Sequence, residues 1–189
     1  MTKSIMIVGV GGQGTLLASR LLGNALLAQG LDVKISEVHG MSQRGGSVVT
    51  YVKYGESVDS PIIEEGEADI ILSFEQLEAA RWLPFLKTTG KMIVNTQCID
   101  PMPVITGAAT YPTGIIDSLV AAGANVVAVD ALSLALEAGN PKAVNVALIG
   151  VMAKATDIPE SVWLDTIRAT VPEKFLDLNL KAFALGYNQ

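Results

Sequence analysis

The sequence predicts a three-layer α/β/α fold, built on a mostly parallel but mixed sheet and ending in a helical C-terminus. Apolar runs that stop at turn residues alternate with segments in which apolar residues recur at helical spacing. Towards the end, Asn140-Pro141 and Asp157-Ile-Pro-Glu160 resemble helix starts, the second of them a capping box. We therefore expect a single domain over residues 1–189, with a helical extension over about 140–189.

The predicted elements alternate between strand and helix with one irregularity. Only eight residues, 39–46, separate the second strand from the third, whereas a parallel crossover needs a dozen or more. These two strands are therefore expected to pair antiparallel, which makes the sheet mixed. The predicted strands span residues 4–10, 32–38, 47–54, 69–73, 91–95 and 125–129, and the predicted helices span 13–29, 75–86 (shortened by Pro84) and 115–122.

The composition narrows the classes of function. The chain of 189 residues has 50% hydrophobic and 17% charged residues, a mean hydropathy of +0.42 and a net charge of -6. It carries no basic stripe, so nucleic acid is not an expected partner. No apolar run reaches the roughly 20 residues of a membrane span and the start lacks a signal-peptide layout, so we expect a cytoplasmic protein with no membrane partner. The apolar surplus predicts a subunit interface, and it leaves a homodimer of the isolated chain open.

The counts of cysteine and histidine restrict the redox chemistry of the chain. A lone Cys98 excludes an internal disulfide and an all-cysteine iron–sulfur cluster, and a single His39 excludes a multi-histidine metal site. We therefore predict no metal site on this chain, and we expect electrons to move through another chain.

A glycine-rich turn is the first candidate site. The segment Gly9-Val-Gly11-Gly12-Gln13-Gly14 satisfies G-x-G-x-x-G between a predicted strand and a predicted helix, which is typical of a Rossmann-like sheet. Glycines allow positive φ and close approach, and the free amides of a helix start attract an anion. Gly11, Gly12, Gln13 and Gly14 are thus candidate cofactor-binding residues. The alternative is a tight turn that binds nothing.

The loop from His39 to Gly46 is the second candidate site. It follows the second strand, so it should emerge beside the glycine turn at the edge where open α/β sheets place their sites. The predicted anion clamp consists of Ser42, Gln43, Arg44, Gly45 and Gly46. The alternative is a flexible polar hairpin loop.

Three further kinds of side chain carry groups that could act in catalysis or stabilise the fold. His39 alone titrates near neutrality, and it is the single candidate for a catalytic residue, although no nucleophile or orienting partner is predicted nearby. Cys98 is expected to be a buried packing residue. Glu75 and Glu78 are expected to stabilise the start of a helix through its dipole.

Taken together, the two glycine-containing motifs resemble a known family. Gly9-x-Gly-Gly-Gln-Gly14 and Glu37-x-His-Gly-Met-Ser-Gln-Arg-Gly-Gly-Ser47 are similar to the gamma-type domain of 2-oxoacid:ferredoxin oxidoreductases, and most of all to the small (beta) subunits of indolepyruvate:ferredoxin oxidoreductases. The similarity runs over most of the chain and continues through Asn95 and the late helix with Asn145.

The resemblance implies a function shared between subunits. Such complexes cleave an aryl 2-oxoacid such as indolepyruvate, release carbon dioxide, join the acyl group to coenzyme A and reduce ferredoxin. Their thiamine diphosphate site rests on a Gly-Asp-Gly motif, which this sequence lacks. The resemblance therefore implies that thiamine diphosphate, magnesium and the iron–sulfur clusters lie on a large partner subunit, that this chain alone binds no cofactor and is inactive, and that its loops contact coenzyme A. Pyruvate, 2-oxoglutarate and branched-chain substrates stay open.

Three alternative functions are also compatible with the sequence. One is an independent NAD(P)-dependent reductase, in which Glu37 would be the ribose-binding acid. Another is an adenylating enzyme of the ubiquitin-activating type, which also uses a glycine turn but usually brings cysteine pairs. The third is a non-catalytic structural subunit that binds no ligand.

Overall fold

The computed structural model describes residues 2–39 and 45–189, and it contains a six-stranded mixed sheet of order β2-β3-β1-β4-β5-β6. The third strand pairs antiparallel with both β1 and β2, and the other neighbours pair in parallel. The predicted antiparallel pair is therefore confirmed. The strands are β1 Lys3–Val10, β2 Asp32–His39, β3 Ser47–Gly55, β4 Ala68–Ser73, β5 Leu86–Asn95 and β6 Asn125–Val129.

The helices lie between and after the strands, and they make the C-terminal part helical as predicted. Short 3₁₀ turns at Leu83–Phe85, Pro141–Ala143 and Glu173–Phe175 connect some of them. The α-helices are α1 Thr15–Ala28, α2 Gln76–Trp82, α3 Met102–Ile105, α4 Ile115–Ala121, α5 Ala131–Ala138, α6 Val144–Ala153, α7 Glu160–Thr170 and α8 Leu176–Tyr187.

Alternate side chains of the sheet face two separate cores. On β1, Ile5 and Ile7 pack on the side of α1 and of α5 to α8, whereas Met6 and Val8 pack on the side of α2 and α4. All four side chains are fully buried, as expected for a strand covered on both faces. The predicted three-layer α/β/α fold is therefore confirmed.

Helix α6 is buried on all sides, since α8 covers the face that it turns away from the sheet. Each residue from Asn145 to Ala153 is buried. The two helices cross closely enough that a Cβ on Gly150 would lie 2.3 Å from the Phe183 carbonyl oxygen. A Cβ on Gly186 would lie 2.0 Å from the Ala147 carbonyl oxygen. Glycine at both positions is what lets the helix backbones touch.

Some local predictions from the sequence are confirmed and others are wrong. Helix α2 ends at Trp82, two residues before Pro84, as predicted, and the Asn140 side chain accepts a hydrogen bond from the Lys142 amide as a cap. The predicted capping box at Asp157–Glu160 is wrong. Helix α7 starts only after Pro159, so the Asp157 carboxylate is too early to cap it and pairs with Lys3 instead.

The sequence also left elements unassigned. Strand β5 begins at Leu86, five residues before the predicted start, and helices α3 and α5 were not predicted. Across residues 2–39 and 45–189, the structure has no helix with the length and apolar character that a bilayer crossing demands.

Candidate functional site

The carboxyl ends of the parallel strands meet at one edge of the sheet. Helix α1 leaves β1 towards one face, and α2 leaves β4 towards the other. Because β1 and β4 are neighbours, their carboxyl ends form the switch point at which open α/β sheets bind ligands. The glycine turn lies at this point, between β1 and α1.

The glycine turn leaves the start of α1 open. Gly12 and Gly14 have φ values of 104° and 86°, which favour glycine. Gly14 is the N-cap of α1, and no side chain of the described residues caps that helix start. A Cβ on Gly14 would lie 2.7 Å from the Asn145 amide nitrogen, so α6 packs directly against the turn. Because no described side chain caps this helix start, the first amides of α1 are available to an anion.

The end of the second motif touches the glycine turn. The Gly11 amide donates to the Gly46 carbonyl oxygen at 2.8 Å, and the Gly45 amide donates to the Gly11 carbonyl oxygen at 3.3 Å. The predicted proximity of the two motifs is therefore confirmed. Ser42, Gln43 and Arg44 lie outside the described residues, and the anion clamp assigned to them stays a prediction.

A cleft of about 840 Å³ opens beside the glycine turn. The first turns of α5 and α6, with the 3₁₀ turn between them, form its far wall, and Lys142 is the one cationic side chain among the described residues that line it. This lining holds no carboxylate, thiol or imidazole, so it suits binding better than bond breaking. The lining residues are Val10, Gly11, Gly12, Gln13, Gly14, Gly45, Gln97, Ile99, Leu132, Pro141, Lys142, Val144 and Asn145.

The side chain of Gln13 fills the crevice between β1 and β4. Its Oε1 accepts from the Val10 amide at 2.8 Å, and its Nε2 donates to the Phe74 carbonyl oxygen at 2.9 Å. The sequence predicts Gln13 as a cofactor-binding residue. In the structure, its side-chain amide is hydrogen-bonded to the protein's own backbone.

Two further amides extend this contact to β5 and α5. The buried Asn95 donates to the same Phe74 carbonyl oxygen at 3.0 Å and accepts from the Ala131 amide at 3.2 Å. The Oε1 of Gln97 lies 3.4 Å from both the Gln13 and the Asn95 amide nitrogens. Neither Gln97 nor Lys142 was predicted for the site, because each reaches the edge through the fold and neither belongs to a motif.

A second hollow, of about 420 Å³, lies on the other side of the glycine turn. Glu37 and the exposed His39 line it together with Leu16. Because β3 lies between β1 and β2, Glu37 stands about two strand spacings, or roughly 10 Å, from β1. A ribose-binding acid stands on the neighbouring strand. This strand order and the filled crevice both weigh against a dinucleotide site.

The acidic residues beside the cleft are used within the fold. Glu75 is buried and caps α2 by accepting from the Glu78 amide at 2.9 Å, and it also accepts from the Ile99 amide at 3.2 Å. The Tyr111 hydroxyl donates to Glu75 as well; burial and this hydrogen bond raise the pKa of Tyr111. The structural role expected for Glu75 agrees with these contacts.

The expectation for Cys98 is wrong. Its side chain is exposed, and its sulfur accepts from the Gln76 amide at 3.3 Å. It follows the buried end of β5 but already lies in the loop, where the chain turns outward. Within the described part of the chain, no three or more His, Cys, Asp or Glu side chains are grouped so that they could hold a metal ion.

The comparison with protein families decides the assignment. The model of the pyruvate ferredoxin/flavodoxin oxidoreductase family matches residues 4–189. The chain belongs to this family. The resemblance seen in the sequence is therefore confirmed, and it favours an oxidoreductase subunit over a separate reductase or an adenylating enzyme.

Curated relatives match over nearly their whole length. The chain is 46% identical to the indolepyruvate oxidoreductase subunit IorB of Thermococcus kodakarensis, over 97% of this chain and 93% of the relative. It is 40% identical to the subunit of the same name from Archaeoglobus fulgidus, over 100% of this chain and 96% of the relative. Both relatives are named as subunits of an oxidoreductase.

Solved structures share the fold. The gamma subunit of a keto/oxoacid ferredoxin oxidoreductase from Geobacter sulfurreducens has a TM-score of 0.73 at 22% identity, over 98% of this chain and 96% of that one. A 2-oxoglutarate:ferredoxin oxidoreductase from Magnetococcus marinus has a TM-score of 0.74 at 17% identity, over 99% of this chain but 30% of that one. At these identities the likeness shows the fold alone.

Proposed function

We propose that this chain is the small subunit of an indolepyruvate:ferredoxin oxidoreductase. In that reaction an aryl 2-oxoacid loses carbon dioxide, its acyl group is joined to coenzyme A, and the electrons released reduce ferredoxin. The observation that carries the proposal is the 46% identity to an indolepyruvate oxidoreductase subunit over 97% of this chain. The cleft supports it, because its described lining offers polar groups and one ammonium group but no carboxylate, thiol or imidazole.

The cofactors of the reaction are assigned to a large partner subunit. The residues present do not fit a thiamine diphosphate site of this class, because the sequence has no Gly-Asp-Gly motif. One cysteine in the whole sequence does not suffice for an iron–sulfur cluster. The chain is therefore proposed to work as one gamma-type domain over residues 1–189, against a partner that carries thiamine diphosphate, magnesium and the clusters.

The role proposed for the cleft is to hold an anionic part of coenzyme A. Gly14, the N-cap of α1, lines it together with residues of the first turns of α5 and α6, and helix starts favour negative charge. Lys142 adds a positive charge, and the Gly45 backbone lies close by. Arg44, from the sequence alone, would add a planar fork for phosphate.

Reconstitution tests the proposed reaction. The chain is co-expressed with the large subunit from the same organism, and reduction of a viologen dye is measured with coenzyme A and one 2-oxoacid at a time. We expect kcat/KM to be highest with indolepyruvate and turnover to depend on coenzyme A. A higher kcat/KM with pyruvate or 2-oxoglutarate would contradict the substrate, and NADH binding by the isolated chain at micromolar concentration would favour a reductase.

Replacing Lys142 tests the role of the cleft. In the complex, Lys142→Ala should raise the KM for coenzyme A by about 3 to 10 times and leave kcat nearly unchanged, because it removes one charge contact made before the chemical step. The control is Lys154→Ala at the other end of α6, where the ammonium contacts the Gln189 carbonyl oxygen. Equal KM values for the two variants would favour a purely structural subunit.

A further inference from the structure

Three side-chain amides form a continuous chain across the switch point. Gln13 lies in the turn after β1, Asn95 ends β5, and Gln97 follows two residues later. Both Gln13 and Asn95 donate to the carbonyl oxygen of Phe74, directly after β4, and both lie 3.4 Å from the Gln97 Oε1. We call Gln13, Asn95 and Gln97 the amide latch.

The orientations of the Gln13 and Asn95 amides are each fixed by a backbone amide. The Val10 amide needs an acceptor, so the Gln13 oxygen faces it and the Gln13 nitrogen faces Phe74. The Ala131 amide fixes the Asn95 oxygen in the same way. Both nitrogens then point towards the Gln97 oxygen, which accepts from them. Donors and acceptors therefore match at every contact.

The first glycine of the motif makes room for the latch. A Cβ on Gly9 would lie 2.9 Å from the Gln13 Oε1 and 2.9 Å from the Phe74 Cβ. Gly9 is not among the residues that line the cleft. Its lack of a side chain thus accommodates Gln13 between β1 and β4.

We propose that the amide latch consists of positioning residues, which hold the glycine turn against β4 and β5 so that Gly12 and Gly14 line the cleft. The inference rests on the proposed function in one respect, namely that the ligand positioned there is coenzyme A. Gln13 binds no substrate with its side-chain amide in this account and acts through the turn. Asn95 links the same latch to the start of α5. The latch therefore holds the glycine turn and α5, which form two walls of the cleft, at a fixed distance from each other.

Two variants of Gln13 separate hydrogen bonding from packing. Gln13→Glu keeps the shape, but its carboxylate has no proton to donate to the Phe74 carbonyl oxygen, whereas the protonated form has one. Gln13→Met keeps a similar length and lacks both hydrogen bonds at every pH. The control is Gln29→Glu, which introduces the same charge at the exposed far end of α1.

The experiment measures amide hydrogen exchange of residues 10–16 in the reconstituted complex, at pH 6 and pH 8, against the wild type at the same pH. Other titratable groups near this edge are Lys142 across the cleft, Glu75 and Tyr111 beside Phe74, Asp130 before α5 and His39 beyond the turn. The comparison with the wild type removes their contribution. We expect Gln13→Met to speed exchange about tenfold at both pH values, and Gln13→Glu, whose carboxylate is ionised at pH 8, to do so at that pH. The KM for coenzyme A should follow the same pattern while kcat changes less.

Each outcome decides the inference. Exchange at residues 10–16 that matches the wild type in both Gln13 variants would overturn the latch. Faster exchange with an unchanged KM for coenzyme A would overturn its positioning role. A wild-type complex without turnover would instead overturn the proposed function, and the exchange data would still decide the latch.

Discussion

Tyr54 shows how burial at one residue links stability to pH. It is the penultimate residue of β3, with 9% of its surface exposed. Burial, followed by the nearby carboxylates of Asp69 and Asp157, raises its pKa to about 12. The phenolate is therefore less favourable in the folded chain than in the unfolded chain, whose tyrosines titrate near pH 10.

This shift predicts a loss of stability in strong base. Because the folded state holds its proton longer, the free energy of unfolding should be unaffected by Tyr54 below about pH 10 and should fall as pH rises towards 12. Denaturant unfolding from pH 9 to 12 measures this slope. Tyr54→Phe should show a shallower fall than the wild type, and identical slopes would contradict the shift.

The residue-scale predictions from sequence depended on local signals. Asn140 was assigned as a cap because a proline follows it directly, and it acts as one. The capping role predicted for Asp157 is wrong, because α7 starts only after Pro159 and a lysine from the first strand pairs with the carboxylate. The burial predicted for Cys98 is wrong, because the chain has already left β5 at this residue. Neither the lysine partner of Asp157 nor the point where the chain leaves β5 could be predicted from the local sequence pattern.

At the scale of elements, α6 and α8 cross with their backbones in close contact at Gly150 and Gly186. Gly186→Ala places a methyl group 2.0 Å from the Ala147 carbonyl oxygen, so the helices must move apart. We expect a loss of at least about 2 kcal/mol in the free energy of unfolding.

A glycine within α1 provides the matched control. A Cβ on Gly23 would meet only the flexible end of Ile35, at 2.7 Å. Gly23→Ala should therefore change stability by no more than about 1 kcal/mol, since alanine also favours the helix. Denaturant unfolding of both variants checks the pair, and equal losses would contradict the role given to the crossing.

Most elements could be predicted from sequence, and their arrangement only in part. Apolar runs and turn residues located all six strands, and the short loop before β3 predicted its antiparallel pairing with β2. The insertion of β3 between β1 and β2 could not be read from loop length, because pairing with β1 is a contact between distant segments. Helix α5 was missed although Asp130 caps it by accepting from the Ser133 amide at 3.0 Å.

For the whole molecule, the site was predictable where it lies in motifs. The two glycine motifs were placed at one edge, and their backbones are hydrogen-bonded there. The far wall of the cleft, with Lys142 and Asn145, comes from a segment about 130 residues later, and only the fold brings it near the turn. The roles of the glycine turn, Arg44 and His39 in binding or catalysis stay predictions, as does a homodimer of the isolated chain.

In the proposed function, the small subunit and its large partner each supply a different part of the enzyme. The described lining of the cleft offers amides and one ammonium group but no nucleophile, and the sequence carries no thiamine motif. In the proposed function the chain therefore completes an active enzyme together with a partner subunit.

A titration tests this claim most directly. The large subunit is held at a fixed concentration, this chain is added in steps, and dye reduction with indolepyruvate and coenzyme A is measured. Activity should be absent for this chain alone, should rise with each addition and should level off at a fixed ratio of the two subunits. Turnover by this chain alone, or a large subunit that is fully active without it, would contradict the account.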